Sequence, residues 1–346
     1  MKRKKVFKFI VLAALVVTSC DKKPPACCEK EPPACGLEEN GCYFLLLKDK
    51  ETISLNTYEN GKIREQKTFA IPENSIFATD REERVAILDT DKNLVTLYEI
   101  ETSKKNELSI PFNMSPKAIL INSDNLFVGG GMGGEILAQY HIQSEEWHRL
   151  EIPQEVSLWG KAIDDLVVND CMLIAIDNVV YPKYILFYHL NSTGKLALSH
   201  FKMLKANGTY ENIRQGRITP KYLGLLSTTS SGYIGVHEHI TIYNNLNLTS
   251  SFAISMSGGS TISDFILIGD KLFIAHRVEG LGIFEIKNSY FSTGQGFNER
   301  VDANEIKYQQ FENEEIIRLT IIPNDTKIIL TIRNSLGKIR HEIIEA

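Results

Sequence analysis

Long apolar runs are missing from this 346-residue chain once the first twenty residues are passed. No later stretch reaches the roughly 18 to 20 uninterrupted apolar residues that a membrane-spanning helix needs. Helical 3.6-residue periodicity is equally scarce, which points away from bundles and α/β layers. The nucleophile pattern G-x-S-x-G, the metal pattern H-E-x-x-H and the phosphate loop G-x-x-x-x-G-K-[ST] do not occur, so the common hydrolase, zincin and nucleotide-binding signatures are excluded. Basic charge is also short: the chain carries −5 at neutral pH, which argues against nucleic acid as a partner.

The basic residues that exist are concentrated at the start. Lys2, Arg3, Lys4, Lys5 and Lys8 precede the apolar run Phe9 to Val17, too short to span a bilayer and shaped like an export signal. Removing these five cations with the signal takes the remainder from −5 to −10. The run ends in Val17-Thr18-Ser19-Cys20, which resembles a bacterial lipobox. That resemblance implies residues 1–19 as a lipoprotein signal peptide, acylation of Cys20 with palmitate-type chains, and a chain anchored to a membrane without crossing it. Asp21 follows, as in the inner-membrane retention signal of enteric bacteria. The expected address is the Gram-negative cell envelope, at its periplasmic face or the cell surface.

Residues 20–41 read as a tether rich in cysteine and proline, with Pro24-Pro25-Ala26-Cys27 repeated as Pro32-Pro33-Ala34-Cys35. Paired prolines favour an extended, semi-rigid spacer. Cys27, Cys28, Cys35 and Cys42 would meet an oxidising compartment after export, where two disulfides are the default and three connectivities are open. A thiolate site for zinc or cuprous copper is the alternative. Cys171, in an apolar run, reads as a buried free thiol.

Residues 42–346 show no linker-like break and read as one all-β domain. An aromatic-polar-aliphatic pattern recurs at Tyr98-Glu99-Ile100, Tyr140-His141-Ile142, Tyr188-His189-Leu190 and Phe284-Glu285-Ile286, with a looser copy at Tyr243. The steps of 42, 48, 55 and 41 residues fit one four-stranded sheet per repeat. Short β-branched runs follow polar turns such as Asp80-Arg81-Glu82-Glu83, Gly269-Asp270-Lys271 and Pro323-Asn324-Asp325-Thr326-Lys327. The last resembles the P-D-G-K hairpin of TolB-like and WD-type β-propellers, and Asn191-Ser192-Thr193-Gly194-Lys195 resembles their D-x-x-T-G-K exits, although no Trp-Asp signature is present.

Seven repeats are counted, near 42–70, 75–112, 115–152, 162–204, 212–255, 261–298 and 305–346. Five hold four strands and the terminal two hold three. Six terminal strands do not fit one blade, so a seven-bladed propeller is expected over a six-bladed one. The aromatics of the recurring pattern are then core residues of each third strand.

Candidate chemistry is sparse. His237 and His239 flank Glu238 and share one face of a strand, where a divalent metal ion would need a third ligand such as Glu211 or His276. Asp164, Asp165 and Asp264 precede inner strands and are placed to line a central channel. Metal-dependent propeller lactonases and lyases use such channel mouths, and this is the enzymatic alternative. Gly129 to Gly134 reads as a flexible hairpin, and Trp147 and Trp159 as interblade packing or an exposed anchor. The leading expectation is a binding or scaffolding propeller without cofactor, presented to a protein or extracellular ligand. In layout it resembles the propeller lipoproteins of the envelope, among them the scaffold of the outer-membrane barrel assembly machine.

Overall fold

A computed structural model describes residues 43–80, 83–122, 124–131, 136–154, 162–169, 172–177, 183–190, 196–204, 210–219, 221–231, 235–244, 251–256, 261–277, 280–293, 296–311, 313–322 and 327–346. Cys20, Cys27, Cys28, Cys35, Cys42, Cys171, Trp159, Met132, Gly133 and Gly134 lie outside them, as do the expectations attached to those residues.

The described chain is all strand and turn, in seven antiparallel sheets. Blade 1 is β1 (Phe44–Leu47), β2 (Thr52–Glu59) and β3 (Lys62–Ala70). Blade 2 is β4 (Ser75–Thr79), β5 (Arg84–Asp89), β6 (Leu94–Glu99) and β7 (Lys105–Ser109). Blade 3 is β8 (Ser115–Asn122), β9 (Asn125–Gly131), β10 (Leu137–His141) and β11 (Glu146–Arg149). Blade 4 is β12 (Ile163–Asn169), β13 (Met172–Asp177), β14 (Lys183–Leu190) and β15 (Leu196–Leu204). Blade 5 is β16 (Tyr210–Ile218), β17 (Tyr222–Ser231), β18 (Gly235–Asn244) and β19 (Ser251–Met256). Blade 6 is β20 (Ile262–Ile268), β21 (Lys271–His276), β22 (Gly280–Thr293) and β23 (Gly296–Gln309). Blade 7 is β24 (Glu314–Ile321), β25 (Lys327–Asn334) and β26 (Ile339–Glu345).

Each first strand lies against the first strands of its neighbours, and β1 touches both β24 and β4, so the sheets close into a ring. The chain is a seven-bladed β-propeller, five blades having four strands and the terminal two having three among the described residues. The expected end of the sixth repeat at 298 is too early. Its third and fourth strands, 14 residues each, form one long hairpin, and Lys307 and Tyr308 pair with Ile283 and Gly282 of β22 rather than opening blade 7.

The turns between first and second strands explain themselves chemically. Asp80 Oδ1 accepts hydrogen bonds from the N–H groups of Glu83 and Arg84, at 2.9 and 2.8 Å. Thr219 Oγ1 accepts from the Tyr222 N–H at 2.9 Å in blade 5. Short polar side chains thus satisfy backbone donors that the hairpin leaves open.

Second strands are buried on both faces, which is why β13 reads as a continuous apolar run. Side chains alternate. Leu173 and Ala175 pack toward blade 3, whereas Ile174 and Ile176 pack toward blade 5. The core is therefore seven interblade clusters rather than one central mass. Tyr140, Tyr188 and Phe284 are buried in the interface with the preceding blade, and Tyr98 and Tyr243 pack against the corresponding clusters.

The interface that closes the ring differs from the rest. Among the described residues its buried apolar cluster is Phe44, Leu46, Ile322 and Ile329, four against thirteen between blades 5 and 6. On β2, Ile53 and Leu55 face blade 2, which turns buried Ser54 and Asn56 toward blade 7. Asn56 Nδ2 donates to Ser54 O and Oγ, so the polar pair satisfies itself. No strand of the first blade joins the last sheet among the described residues, and Phe44 and Leu46 pack on Ile322 and Ile329 across the closure.

Candidate functional site: the channel mouth

The inner strands share a local irregularity. Register slips by one residue at Lys117 in β8, Asp164 in β12, Arg214 in β16, Ser263 in β20 and Ile317 in β24. A β-bulge of this kind bends its strand and re-aims a side chain. The first four of these residues line a cavity of about 350 Å³ on the ring axis, together with Asp165, Gln215 and Arg217.

Carboxylates bind the inner strands together. Asp165 accepts from the N–H of Gly216 in the next blade and, at 2.9 Å, from that of Leu166. Asp264 repeats the arrangement: Oδ2 accepts from the Leu319 N–H of the next blade at 2.8 Å, and Oδ1 from the Phe265 N–H at 2.8 Å. Gln215 Nε2 and Arg217 Nη2 also donate to Asp264, at 2.8 and 3.1 Å. A Cβ on Gly216 would stand 2.6 Å from Ile176 Cδ1, so a side chain there would require that terminal methyl to move. Arg318, two residues past buried Ile316, reaches across to Phe77 of blade 2 with its guanidinium 4.9 Å from the ring centre.

Burial pushes the Asp165 carboxyl up to about 6, with Arg217 and the two backbone donors opposing the shift. Burial likewise pushes Arg318 down, opposed by Asp264. Among the described residues, no three His, Cys, Asp or Glu side chains group as a metal site. Asp164 pairs with Lys117 at 2.9 Å. His237 and His239 share a face of β18 as expected, and the intervening Glu238 is the buried member. Glu238 accepts from Arg214 Nη1 and from the Ile262 N–H. His276 is fully buried in β21, where burial pushes its imidazole down to about 4. Trp147 packs on Tyr140 and Phe112, with ring centres 5.1 and 6.3 Å away.

Sequence reasoning placed Asp164, Asp165 and Asp264 near the channel and missed Lys117, Arg214, Arg217 and Arg318. An isoleucine opening each of the triplets Ile163-Asp164-Asp165, Ile213-Arg214-Gln215, Ile262-Ser263-Asp264 and Ile316-Ile317-Arg318 was the available signal for Arg214 and Arg318, whereas Lys117 and Arg217 carry none.

No protein-family model matches the sequence, and no curated protein matches it either. Solved structures do match in shape. U3-55K aligns with a TM-score of 0.56 at 11% identity, over 88% of this chain and 92% of that one. The Cps50 (Swd1) β-propeller domain of Myceliophteria thermophila aligns at 0.54 and 12% identity, over 90% and 99%. BamB from Moraxella catarrhalis aligns at 0.49 and 12% identity, over 88% and 82%. At these identities the likeness to the first two is one of architecture, the β-propeller fold.

Proposed function

We propose that this propeller is a binding or scaffolding module for a protein partner, held at an envelope membrane by lipid on Cys20. The observation that carries the binding role is apolar surface on the outermost strands. Phe201 and Met203 of β15 are 38% and 41% exposed, and Ile306 and Tyr308 of β23 are 52% and 41% exposed. Large apolar side chains on an outer edge are what a partner would cover. The channel carboxylates Asp165 and Asp264 are engaged by backbone donors of adjacent blades, which supports a structural use for them.

The test combines lipid labelling with crosslinking in intact membranes. Incorporation of an alkyne-palmitate should occur in the wild type and vanish in Cys20→Ala, together with membrane partitioning. One discrete crosslinked partner should be captured by the wild type and lost in Phe201→Glu/Met203→Glu or Ile306→Glu/Tyr308→Glu. Partitioning that ignores Cys20, or capture that ignores both edges, would overturn the respective half of the reading.

A further inference from the structure

The bulges bring charges of opposite sign to the channel mouth at unequal depth. Lys117, Arg214 and Arg217 keep 43%, 38% and 32% of their side chains exposed, against 22%, 7% and 5% for their partners Asp164, Glu238 and Asp264. The three cations line the cavity together with Asp164 and Asp165, whereas Glu238 and Asp264 lie outside its lining. Those two are spent on the N–H groups of Ile262, Phe265 and Leu319. Three cations against two carboxylates in one lining is not a by-product of general basicity, since the chain is −5 overall.

Donor capacity remains at the mouth. Arg214 is engaged through Nη1 alone among the described residues, and Lys117 meets a single carboxylate oxygen. That Lys117–Asp164 pair is partly solvated, and exchanging it for another anion costs little. Gln215 and Ser263 add neutral polar groups to the lining. At about 350 Å³ the cavity falls at the small end of ligand sites.

We propose that the channel mouth binds a small di- or tricarboxylate, seated among Arg214, Lys117 and Arg217. A guanidinium presents parallel N–H groups that match a planar carboxylate. Cations on two blades separated by a third call for two anionic groups in one molecule. The site goes beyond the rim contacts assigned to a protein partner and does not depend on them.

Calorimetric titration of the purified full-length chain with citrate, succinate and inorganic phosphate, at ionic strength fixed with sodium chloride, tests this. Citrate should bind saturably at one site, at least tenfold tighter than phosphate. Lys117→Gln and Arg214→Gln should each weaken citrate at least tenfold, and Lys105→Gln on β7, away from the channel, should not. Because Arg214→Gln strips buried Glu238 of its partner, Lys117→Gln at the solvated mouth decides the matter if the former does not fold. No saturable citrate heat, citrate affinity unchanged in Lys117→Gln, or phosphate as tight as citrate would overturn the proposal.

Discussion

Asp264 accepts the backbone N–H of Leu319 from the neighbouring blade at 2.8 Å, so one carboxylate oxygen ties two inner strands that share no sheet. Its other oxygen takes Gln215, Arg217 and the Phe265 N–H. Asp264→Ala strands a buried amide and unpairs Arg217, and should cost about 3 kcal/mol. Asp164→Ala, which breaks only the partly solvated pair with Lys117, should cost less than about 1 kcal/mol. Urea unfolding of both variants checks the contrast, and equal losses would refute the tie.

Two buried groups give opposite pH dependences. Asp165, raised from 3.8 to about 6, holds its proton more tightly folded than unfolded. Its penalty is absent below about pH 4 and complete above about pH 6, on the order of 1–2 kcal/mol after allowance for the part facing channel water. His276, lowered from 6.5 to about 4, prefers to be neutral when folded. Its penalty begins below pH 6.5 and is complete below about 4. The stability of the wild type relative to Asp165→Asn should rise as pH falls from 7 to 4. Denaturant midpoints across that range, with a flat difference, would count against the assignment.

Tyr188 separates the packing of an aromatic from its polar handle. Its hydroxyl donates to Glu151 O at 2.8 Å, reaching from blade 4 to the segment that leaves blade 3. Tyr188→Phe should lose about 1 kcal/mol in thermal or chemical denaturation. Tyr140→Phe, at the matching place in blade 3 and with no hydroxyl hydrogen bond among the described residues, should stay within about 0.5 kcal/mol of wild type.

The ring should open first where it closes. Amides of β1 and β26 should show the lowest protection of any paired strands in native-state hydrogen exchange, and those of β13 and β21 the highest, because burial sets local stability. Uniform protection around the ring would show that the thin interface carries no weakness.

The legible part of this fold was the part with a period. Tyr98, Tyr140, Tyr188, Tyr243 and Phe284 all fall on third strands, because one structural place in each repeat must fill the gap left by the preceding blade. The channel was less legible for two reasons. Asp165 and Asp264 bind backbone N–H groups one blade away, and a backbone donor leaves no trace in residue identity. The bulges add one residue to an inner strand without changing its apolar character, so Lys117 and Arg214 read as ordinary surface cations. The long hairpin of blade 6 blurred the boundary with blade 7 for a related reason: Val301 and Ala303 alternate in one phase and Ile306 and Tyr308 in the other, because the register shifts at Ile306, so one strand reads as the end of one repeat and the start of the next.

The thin closure also determines how the molecule takes mechanical load. Tension applied to the chain ahead of Tyr43 enters through the four-residue β1, the strand that contributes Phe44 and Leu46 to the smallest interblade cluster. A pull on that end would therefore peel the ring at its first blade, leaving the six-blade remainder with its larger interfaces intact.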